Sequence, residues 1–276
     1  MLRIALGAQL RRLREACGIS AEAAGYAIRG SYAKISRMEL GRVGFKERDV
    51  ADLLTLYGIV GEPERVAFLT MARQANEPGW WHRYSDILPN WFEMYLGLEQ
   101  ASSVIRTYEP QLIPDLLQTR EVAGALIELG HPSGSTDDTE RRIALRVTRQ
   151  EVLTQPEAPC LWAVIDESAL WRLGKRTVMR AQVQHLIEIA ELPNVTLQVI
   201  PIYSGANAGV GGPFRILRFS EPDLPDIVYL EQLTTALYLD KIQDVEHYML
   251  VMDRLVVQAK SPVETARFLK STLQEI

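Results

Sequence analysis

The chain has 276 residues, of which 47% are apolar and 24% are charged, a composition typical of globular proteins that excludes a disordered or fibrous chain. At ~100–200 residues per domain this length predicts one to three domains, and two is our expectation. No window approaches the ~18 uninterrupted apolar residues of a transmembrane helix, and no cleavable apolar segment follows the early Arg3. We therefore expect a cytoplasmic protein without a membrane partner.

The net charge of −5 hides an uneven distribution. Residues 1–48 carry ten Lys or Arg and four Glu, which gives +6, so the other 228 residues carry −11. The total disfavours a nucleic-acid binder, but a basic end beside an acidic remainder could bind a polyanion. Such contact is therefore expected only near the N-terminus.

The sequence offers little for metal or redox chemistry. Cys17 and Cys160 lie in a predicted helix and a predicted strand, so we expect reduced, buried thiols and no disulfide framework. The four histidines are scattered without metal-ligand spacing, and no Walker or nucleophile-elbow motif occurs. We predict no metal and no cofactor.

The first 75 residues predict five short helices separated by compact turns. Gly18 ends the first, Ser20 can cap the second, and Ser31 can cap a third that ends at Gly41. Apolar stripes and Pro63 indicate a fourth and a fifth helix before Asn76. We predict an all-α domain over residues 1–76.

Residues 77–90 mix Pro, Gly and two Trp, and we interpret them as a linker packed against a second domain over residues 91–276. That domain begins with helices around 91–103, from near Gln118, and over about 139–154. β-Rich runs follow, with a helix near 176–191 between them and two terminal helices: CLWAVID, VTLQVIP, PFRILRF and DIVYLE. This order predicts an α+β, or mixed α/β, domain with a small sheet and C-terminal helices.

The stretch GSYAKISRMELGR, residues 30–42, predicts an amphipathic helix. Ser31, Ile35 and Met38 share one side, whereas Ala33, Ser36 and Arg37 lie opposite, with Tyr32 at the border. A surface helix of any globular domain could show this pattern. However, a helix of about eight residues, a Gly-containing turn and a second short helix form the helix-turn-helix arrangement, whose second helix enters the major groove.

LRRLREACGIS followed by KISRMELGR is similar to the Xre family of bacterial helix-turn-helix regulators, over about residues 6–72. The resemblance implies an internal ion pair between Arg14 and Glu39, which explains an acid on a helix that should approach phosphates. Two positions depart from the family pattern. Ala21 replaces a phosphate-binding Gln, and the turn glycine, Gly30, comes one place late, after Arg29.

The same resemblance implies double-stranded DNA as the partner. Tyr32, Ala33, Ser36 and Arg37 match base-contacting positions, and the Arg37 guanidinium can bind guanine O6 and N7 in a bidentate pair. Phosphate contacts are expected from a further set that supplies affinity without sequence information: Ser31, Lys34, Arg42, Lys46, Arg48 and Arg29. For any one of these cations, a solvated surface position is the alternative.

Several phrases of the second region resemble an uncharacterised domain that follows an Xre module in many actinobacterial regulators: YEPQLIPDLLQTREVA, RVTRQEVL, VIDESALWR, LPNVTLQVIP and GGPFRILRF. Some of these regulators are antitoxin-like and are often encoded beside a short acidic or basic partner protein. The resemblance implies a role in regulation, effector sensing or binding a small partner protein.

Two further interpretations concern this second region. Aromatic side chains could line a pocket for a small-molecule effector, although a core role is equally compatible: Trp80, Trp81, Trp91, Tyr95, Trp162 and Trp171. An enzyme would have to use acids near strand ends together with a histidine: Asp166, Glu167, Glu231 and His185.

Together these patterns predict a DNA-binding transcriptional regulator, not an enzyme. We expect a homodimer on an inverted repeat, since one such module covers few base pairs. The dimer surface is expected either on the terminal helices, particularly residues 249–255, or at the linker tryptophans. The alternative is a protein-interaction module of the antitoxin-like type, in which DNA binding is secondary.

Overall fold

Five α-helices form the N-terminal part of the chain in the computed structural model, which describes residues 2–132, 134–221 and 224–276, without the side chains of Leu2 and Asn90. The helices are α1 (Leu2–Ala16), α2 (Ala21–Ala27), α3 (Tyr32–Glu39), α4 (Glu47–Leu56) and α5 (Glu62–Ala75). The prediction of five short helices is confirmed. The hydroxyl oxygens of Ser20 and Ser31 accept hydrogen bonds from the third residue after each, as expected of helix caps.

These helices enclose a core of their own, to which α3 contributes Ile35 and Met38. Glycine lets the helices approach closely at two points. A Cβ atom at Gly7 would lie 2.5 Å from the carbonyl oxygen of Met38, and one at Gly25 would lie 2.9 Å from the carbonyl carbon of Ser31. The backbone of α3 is therefore held tightly between α1 and α2.

The turn between α2 and α3 contains a left-handed residue that is not glycine. Arg29 has φ 53°, and the amide of Gly30 donates to the carbonyl oxygen of Gly25 at 2.8 Å. The pattern is a Schellman-type helix end, in which glycine usually takes the left-handed position. The displaced turn glycine seen in the sequence therefore places an arginine in strained backbone.

The rest of the chain forms an α+β unit. Its strands are β1 (Ser102–Glu109), β2 (Cys160–Asp166), β3 (Val195–Ile200), β4 (Phe214–Phe219), β5 (Ile227–Glu231) and β6 (Ala236–Leu239). Its helices are α6 (Asn90–Ala101), α7 (Arg120–Gly130), α8 (Thr136–Gln150), α9 (Ser168–Trp171), α10 (Arg176–Ile189), α11 (Ile242–Gln258) and α12 (Pro262–Glu275). Short 3₁₀ helices occur at Trp80–Tyr84, Asp115–Leu117, Glu151–Leu153 and Ile202–Ser204.

The six strands form one mixed sheet in the order β3-β2-β1-β4-β5-β6. Strands β1, β2 and β3 run parallel, and β1, β4, β5 and β6 pair antiparallel in turn. Because paired residues point to the same side, the register defines two faces. The α11 face carries Tyr108, Val164 and Ile216 under helix α11, and the α6 face carries Ile105, Leu161 and Tyr229.

The predicted fold class, a five-helix domain followed by an α+β domain with a sheet and terminal helices, is confirmed. The chain divides into two compact units, one reaching His82 and including Glu221 and Leu224, the other holding the remaining described residues. Strand β6 was missed because it is only four residues long. Cys17 and Cys160 are free but exposed, so the expectation of buried thiols was wrong.

No described helix combines the length and apolar character needed to cross a membrane.

Candidate nucleic-acid interface and buried arginine cluster

Helix α3 presents two chemically different sides. Ile35 and Met38 are buried in the core, whereas Tyr32 is 56% exposed and Ala33 and Arg37 are exposed as well. Ser36, part of the same predicted base-contact set, is half-buried on this exposed side. The side chains implied as base contacts thus lie together on one face of a helix whose other face is fixed in the core.

The guanidinium of Arg37 is only partly used within the protein. Its Nε donates to the carbonyl oxygen of Ala33 at 3.1 Å, one turn earlier on the same helix. This bond uses one of the five N–H donors of the group, and within the described residues neither Nη atom makes a hydrogen bond. Two parallel Nη–H donors are the geometry with which arginine recognises the O6 and N7 edge of guanine.

Arg14 of α1 and Glu39 of α3 form a bidentate ion pair. Arg14 Nε donates to Glu39 Oε1 at 2.6 Å and Arg14 Nη2 donates to Oε2 at 2.9 Å, while Nη1 donates to the carbonyl oxygen of Ile19. The two side chains are 11% and 8% exposed. The hydrogen bond with Glu39 raises the pKa of Arg14, and the pair ties the C-terminal end of α3 to α1.

The side chains implied as phosphate contacts fall into two groups. Arg29, Arg42, Lys46 and Arg48 are exposed, and Ser31 is an exposed helix cap. Within the described part of the chain, Arg29, Arg42 and Lys46 have no carboxylate at ion-pair distance, while Arg48 Nη2 lies 3.6 Å from Asp49. Arg29 precedes α3, Arg42 and Lys46 lie between α3 and α4, and Arg48 lies in the first turn of α4.

Lys34 differs from the other cations of this set. Its Nζ donates to Oδ2 of Asp49, a residue of α4 that is 1% exposed. The other carboxylate oxygen, Oδ1, has no hydrogen-bond partner. Lys34 therefore compensates a buried acid and links α3 to α4, a pair that sequence reasoning missed because Asp49 precedes an apolar stripe and looked like an ordinary first-turn acid.

The aromatic side chains predicted to line an effector pocket do not form one. Trp162 lies on the α11 face, where its Nε1 donates to Gln198, whereas Tyr95 lies against Tyr229 on the α6 face. Trp171 is 49% exposed. Side chains alternate between the two faces along a strand, so the sequence alone did not show which face Trp162 occupies.

The remaining members of this set pack against aromatic neighbours next to them in sequence. Trp91 packs edge-on against Phe92 at the start of α6. Trp80 and Trp81 belong to the first unit, where their rings pack against each other edge to face at 5.9 Å. One pocket lined by all six aromatic residues is wrong because Trp162 and Tyr95 lie on opposite faces of the same sheet.

A buried set of charged side chains, which we call the arginine cluster, lies on the α6 face. It comprises Arg146, Arg149, Arg215, Glu99, Glu109 and Asp115. Arg149 forms a bidentate pair with Glu99 through bonds of 2.9 and 2.8 Å, and both side chains are under 5% exposed. Its guanidinium also lies over the ring of Tyr95. The hydroxyl of Tyr95 donates to Glu99, so the acid is held from two sides.

Asp115 is the centre of the cluster. Arg149 Nη1 and Arg215 Nη2 each lie 3.3 Å from its Oδ2, and Arg146 Nη1 lies 3.5 Å from its Oδ1. Burial alone would raise the pKa of Asp115, but Arg146, Arg215 and Arg149 hold it below its usual range. Burial raises the pKa of Glu109 to about 7, since its contact with Arg215, at 3.4 Å, offsets only part of the desolvation.

One arm of Arg215 has no partner. The guanidinium carbon lies 5.2 Å from the ring centroid of Tyr95 and 5.8 Å from that of Tyr229, and its Nη2 contacts Glu109 and Asp115. Its Nη1 is buried without a hydrogen bond, as is Oγ1 of Thr107, the residue directly opposite on β1. A buried polar group left unpaired costs about 1–3 kcal/mol, and here two such groups belong to residues that are direct partners on adjacent strands.

The acids considered for catalysis have structural partners instead. Asp166 Oδ1 accepts a hydrogen bond from the amide of Ser168, and Glu167 Oε2 accepts one from the amide of Ile202. Glu231 Oε2 accepts a hydrogen bond from the hydroxyl of Tyr229. His185, on α10, is half-buried, and its pKa is lowered by that burial. In the described part of the chain no group of three His, Cys, Asp or Glu could hold a metal ion.

The candidate dimer segment 249–255 is largely used by the core. Met252 and Leu255 are completely buried on the α11 face, and Met249 packs against the same cluster. Only the opposite side of α11 is exposed, with Ile242, Leu250 and Val257 on one helical face. Met252 and Leu255 are thus core positions, and the choice between the terminal helices and the linker tryptophans as dimer surface stays a prediction.

Family models match both units. Residues 5–68 match a helix-turn-helix domain, and residues 92–271 match a domain of unknown function, DUF5753. Comparison with curated proteins and with solved structures gave no match. A helix-turn-helix domain indicates DNA binding and, with it, a regulator of transcription more than an enzyme.

Proposed function

Since the chain belongs to the DUF5753 family and carries a helix-turn-helix domain before that region, we propose that it is a sequence-specific, Xre-like transcriptional regulator. The exposed face of α3 carries the proposal. Tyr32, Ala33, Ser36 and Arg37 are its base contacts. The Nη atoms of Arg37 make no hydrogen bond within the described residues and suit the major-groove edge of guanine.

Phosphate contacts in this proposal come from the exposed cations and the cap around α3. Arg29, Arg42 and Lys46 are exposed and have no carboxylate at ion-pair distance within the described residues. Arg48 is exposed with Asp49 3.6 Å away, and Ser31 is an exposed helix cap. Lys34 is the weakest member, because its ammonium already compensates Asp49. It keeps two N–H donors, so a phosphate contact would be shared with that pair.

In this proposal the two units have different functions. Residues 1–76 bind DNA, residues 77–90 link the units, and residues 91–276 sense a small effector or bind a small partner protein. The regulator acts as a homodimer on an inverted repeat, which doubles the number of base contacts. The exposed face of α11, with Ile242, Leu250 and Val257, is our candidate dimer surface, and the linker tryptophans are the other.

Selection of binding sites from a random DNA pool by the full-length protein tests the proposal. We expect one enriched sequence with two inverted half-sites. An enriched sequence without symmetry would contradict the homodimer. No enriched sequence, together with affinity independent of salt, would contradict DNA reading and favour the protein-interaction alternative.

Salt dependence of affinity separates phosphate from base contacts. For the selected site, Arg42→Ala and Lys46→Ala should each reduce the slope of log affinity against log salt by about 1, and weaken binding to all sequences alike. Leu250→Glu should shift the chain towards the monomer in analytical ultracentrifugation if α11 carries the dimer surface.

A further inference from the structure

A cavity on the α6 face, which we call the gap between Thr107 and Arg215, is lined by both of these residues. Two polar atoms without partners, Thr107 Oγ1 and Arg215 Nη1, border it. Thr107 is 2% exposed and Arg215 is 8% exposed. Because the two residues are direct partners in the β1–β4 register, their side chains leave the sheet side by side and converge on the same space.

The remaining walls of this cavity are mostly apolar. Ile105, Pro114, Leu116 and Leu161 line it, and the ring of Tyr95 closes it on the α6 side. The cavity opens to solvent, and it measures about 230 Å³ when that open part is included. A small molecule can therefore enter it from the surface with its apolar end against these walls.

The charge around the cavity favours an anionic group. Three guanidinium groups, those of Arg146, Arg149 and Arg215, meet two acids that are paired at close range, Glu99 and Asp115. The third acid, Glu109, has a pKa raised to about 7 by burial and is thus partly uncharged near neutral pH. A fourth acid, Glu231, also acts on Arg215, but it is exposed to solvent and accepts a hydrogen bond from Tyr229. Asp115 borders the cavity too, but all three guanidinium groups contact it and neutralise its charge.

From this arrangement we infer that the gap between Thr107 and Arg215 binds the carboxylate of a small aliphatic acid. One carboxylate oxygen accepts hydrogen bonds from Arg215 Nη1 and Thr107 Oγ1, and the short alkyl chain lies against Ile105 and Leu161. Charge-assisted bonds of this kind satisfy both unpartnered atoms at once. The site gives the effector-sensing role of the proposed function a chemical class of ligand.

Titration of the full-length protein with sodium acetate and sodium propionate tests this inference without DNA, so its failure is distinct from a failure of DNA binding. Calorimetry should show saturable binding of one molecule per chain. Thermal unfolding should shift upwards by about 5 °C at one hundred times the Kd. Sodium chloride at equal ionic strength is the reference, and acetamide tests the need for charge.

Variants locate the site. Thr107→Val keeps the shape of the side chain but removes the hydroxyl, and should weaken propionate binding about three- to tenfold. Arg215→Lys should weaken it further, because lysine lacks the second nitrogen. Thr272→Val is the matched control, since Thr272 is equally buried but donates to the carbonyl oxygen of Phe268 outside the cluster.

Three outcomes would overturn the inference. The first is a response to acetate no larger than that to chloride, as expected if the gap holds only a water molecule. The second is equal binding of acetamide, which would exclude recognition of an anion. The third is propionate affinity unchanged in Thr107→Val, which would place binding elsewhere and remains informative even if Arg215→Lys does not fold.

Discussion

Arg14 grips Glu39 with two parallel hydrogen bonds, and this contact removes the only acid of α3 from the surface that carries Arg37. The pair joins two helices, and its two residues are 25 positions apart in the sequence. A carboxylate at the exposed end of α3 would repel DNA phosphates, whereas a neutralised and partly buried one fixes the helix instead.

Breaking this pair should destabilise the first unit. Glu39→Gln leaves the Arg14 guanidinium partly buried without its counter-charge, and we expect a loss of roughly 3–5 kcal/mol in the free energy of unfolding. Chemical denaturation followed by circular dichroism measures it. Glu47→Gln, which breaks the exposed Arg73–Glu47 pair of the same unit, is the control and should change stability by less than ~0.5 kcal/mol. Equal losses in both variants would show that burial of the Arg14–Glu39 pair adds nothing.

Sequence discrimination should depend on Arg37. Arg37→Ala removes the bidentate donor pair, so the selected site should bind roughly 1–3 kcal/mol more weakly, while random DNA should be affected far less. Competition gel shifts with both DNAs measure the ratio. Arg254→Ala, at an exposed position of α11, serves as the control. A ratio unchanged by Arg37→Ala would remove this residue from the proposed base contacts.

Arg29 allows stability and DNA affinity to be separated. Arg29→Gly relieves the left-handed backbone at φ 53° and should raise the free energy of unfolding by up to ~1 kcal/mol, since the gain exceeds the entropy cost of glycine in the unfolded chain. If Arg29 also contacts a phosphate, DNA affinity should fall at the same time. A more stable protein with unchanged salt dependence of DNA binding would assign Arg29 a purely conformational effect.

Glu109 should make the second unit less stable as pH rises. Its pKa is about 7 in the folded protein, above the ordinary value of 4.5, so between these values the folded state binds more protons than the unfolded state. The stability that Glu109 contributes is therefore present below about pH 4.5 and lost as pH rises through 7, a difference of about 3 kcal/mol. The groups facing it are Arg215, Asp115 and Glu231.

Denaturation at pH 5 and pH 8 tests this expectation with Glu109→Gln, which cannot ionise. The variant should lose most of the difference in stability between the two pH values. The lowered pKa of Asp115 acts in the opposite direction, but only in more acidic solution, where that carboxylate becomes protonated. The same dependence on pH in both proteins would show that Glu109 does not titrate in this range.

Helix caps and apolar periodicity in the sequence predicted the helices well. Ser20, Ser31 and Ser261 occur just before helical patterns, and each caps a helix in the structure. The Arg14–Glu39 contact came from the family pattern, because periodicity alone does not show which charged residues on two helices meet. The strands were found from their β-branched runs, whereas short β6 has too few residues to form such a run.

Buried charge was the main feature that sequence reasoning missed. Arg149 lies in a helix that is rich in charged residues, and Arg215 follows an ordinary strand alternation, so both looked solvent-exposed. Their burial depends on partners from distant elements, such as Glu99 on α6 and Asp115. Trp162 and Tyr95 were grouped wrongly for the same reason, since the faces of a sheet are known only once strand register is known.

Because α1 and α3 cross closely at Gly7, the position of α3 does not depend on its outer side chains. With no room for even a methyl group against the carbonyl oxygens of Met38 and Glu39, the position of the helix is set by its backbone and inner side chains. The outer side chains at positions 32, 33, 36 and 37 take no part in that crossing. Exchanging these four residues for others should therefore redirect the protein to a new DNA sequence while its scaffold stays as it is.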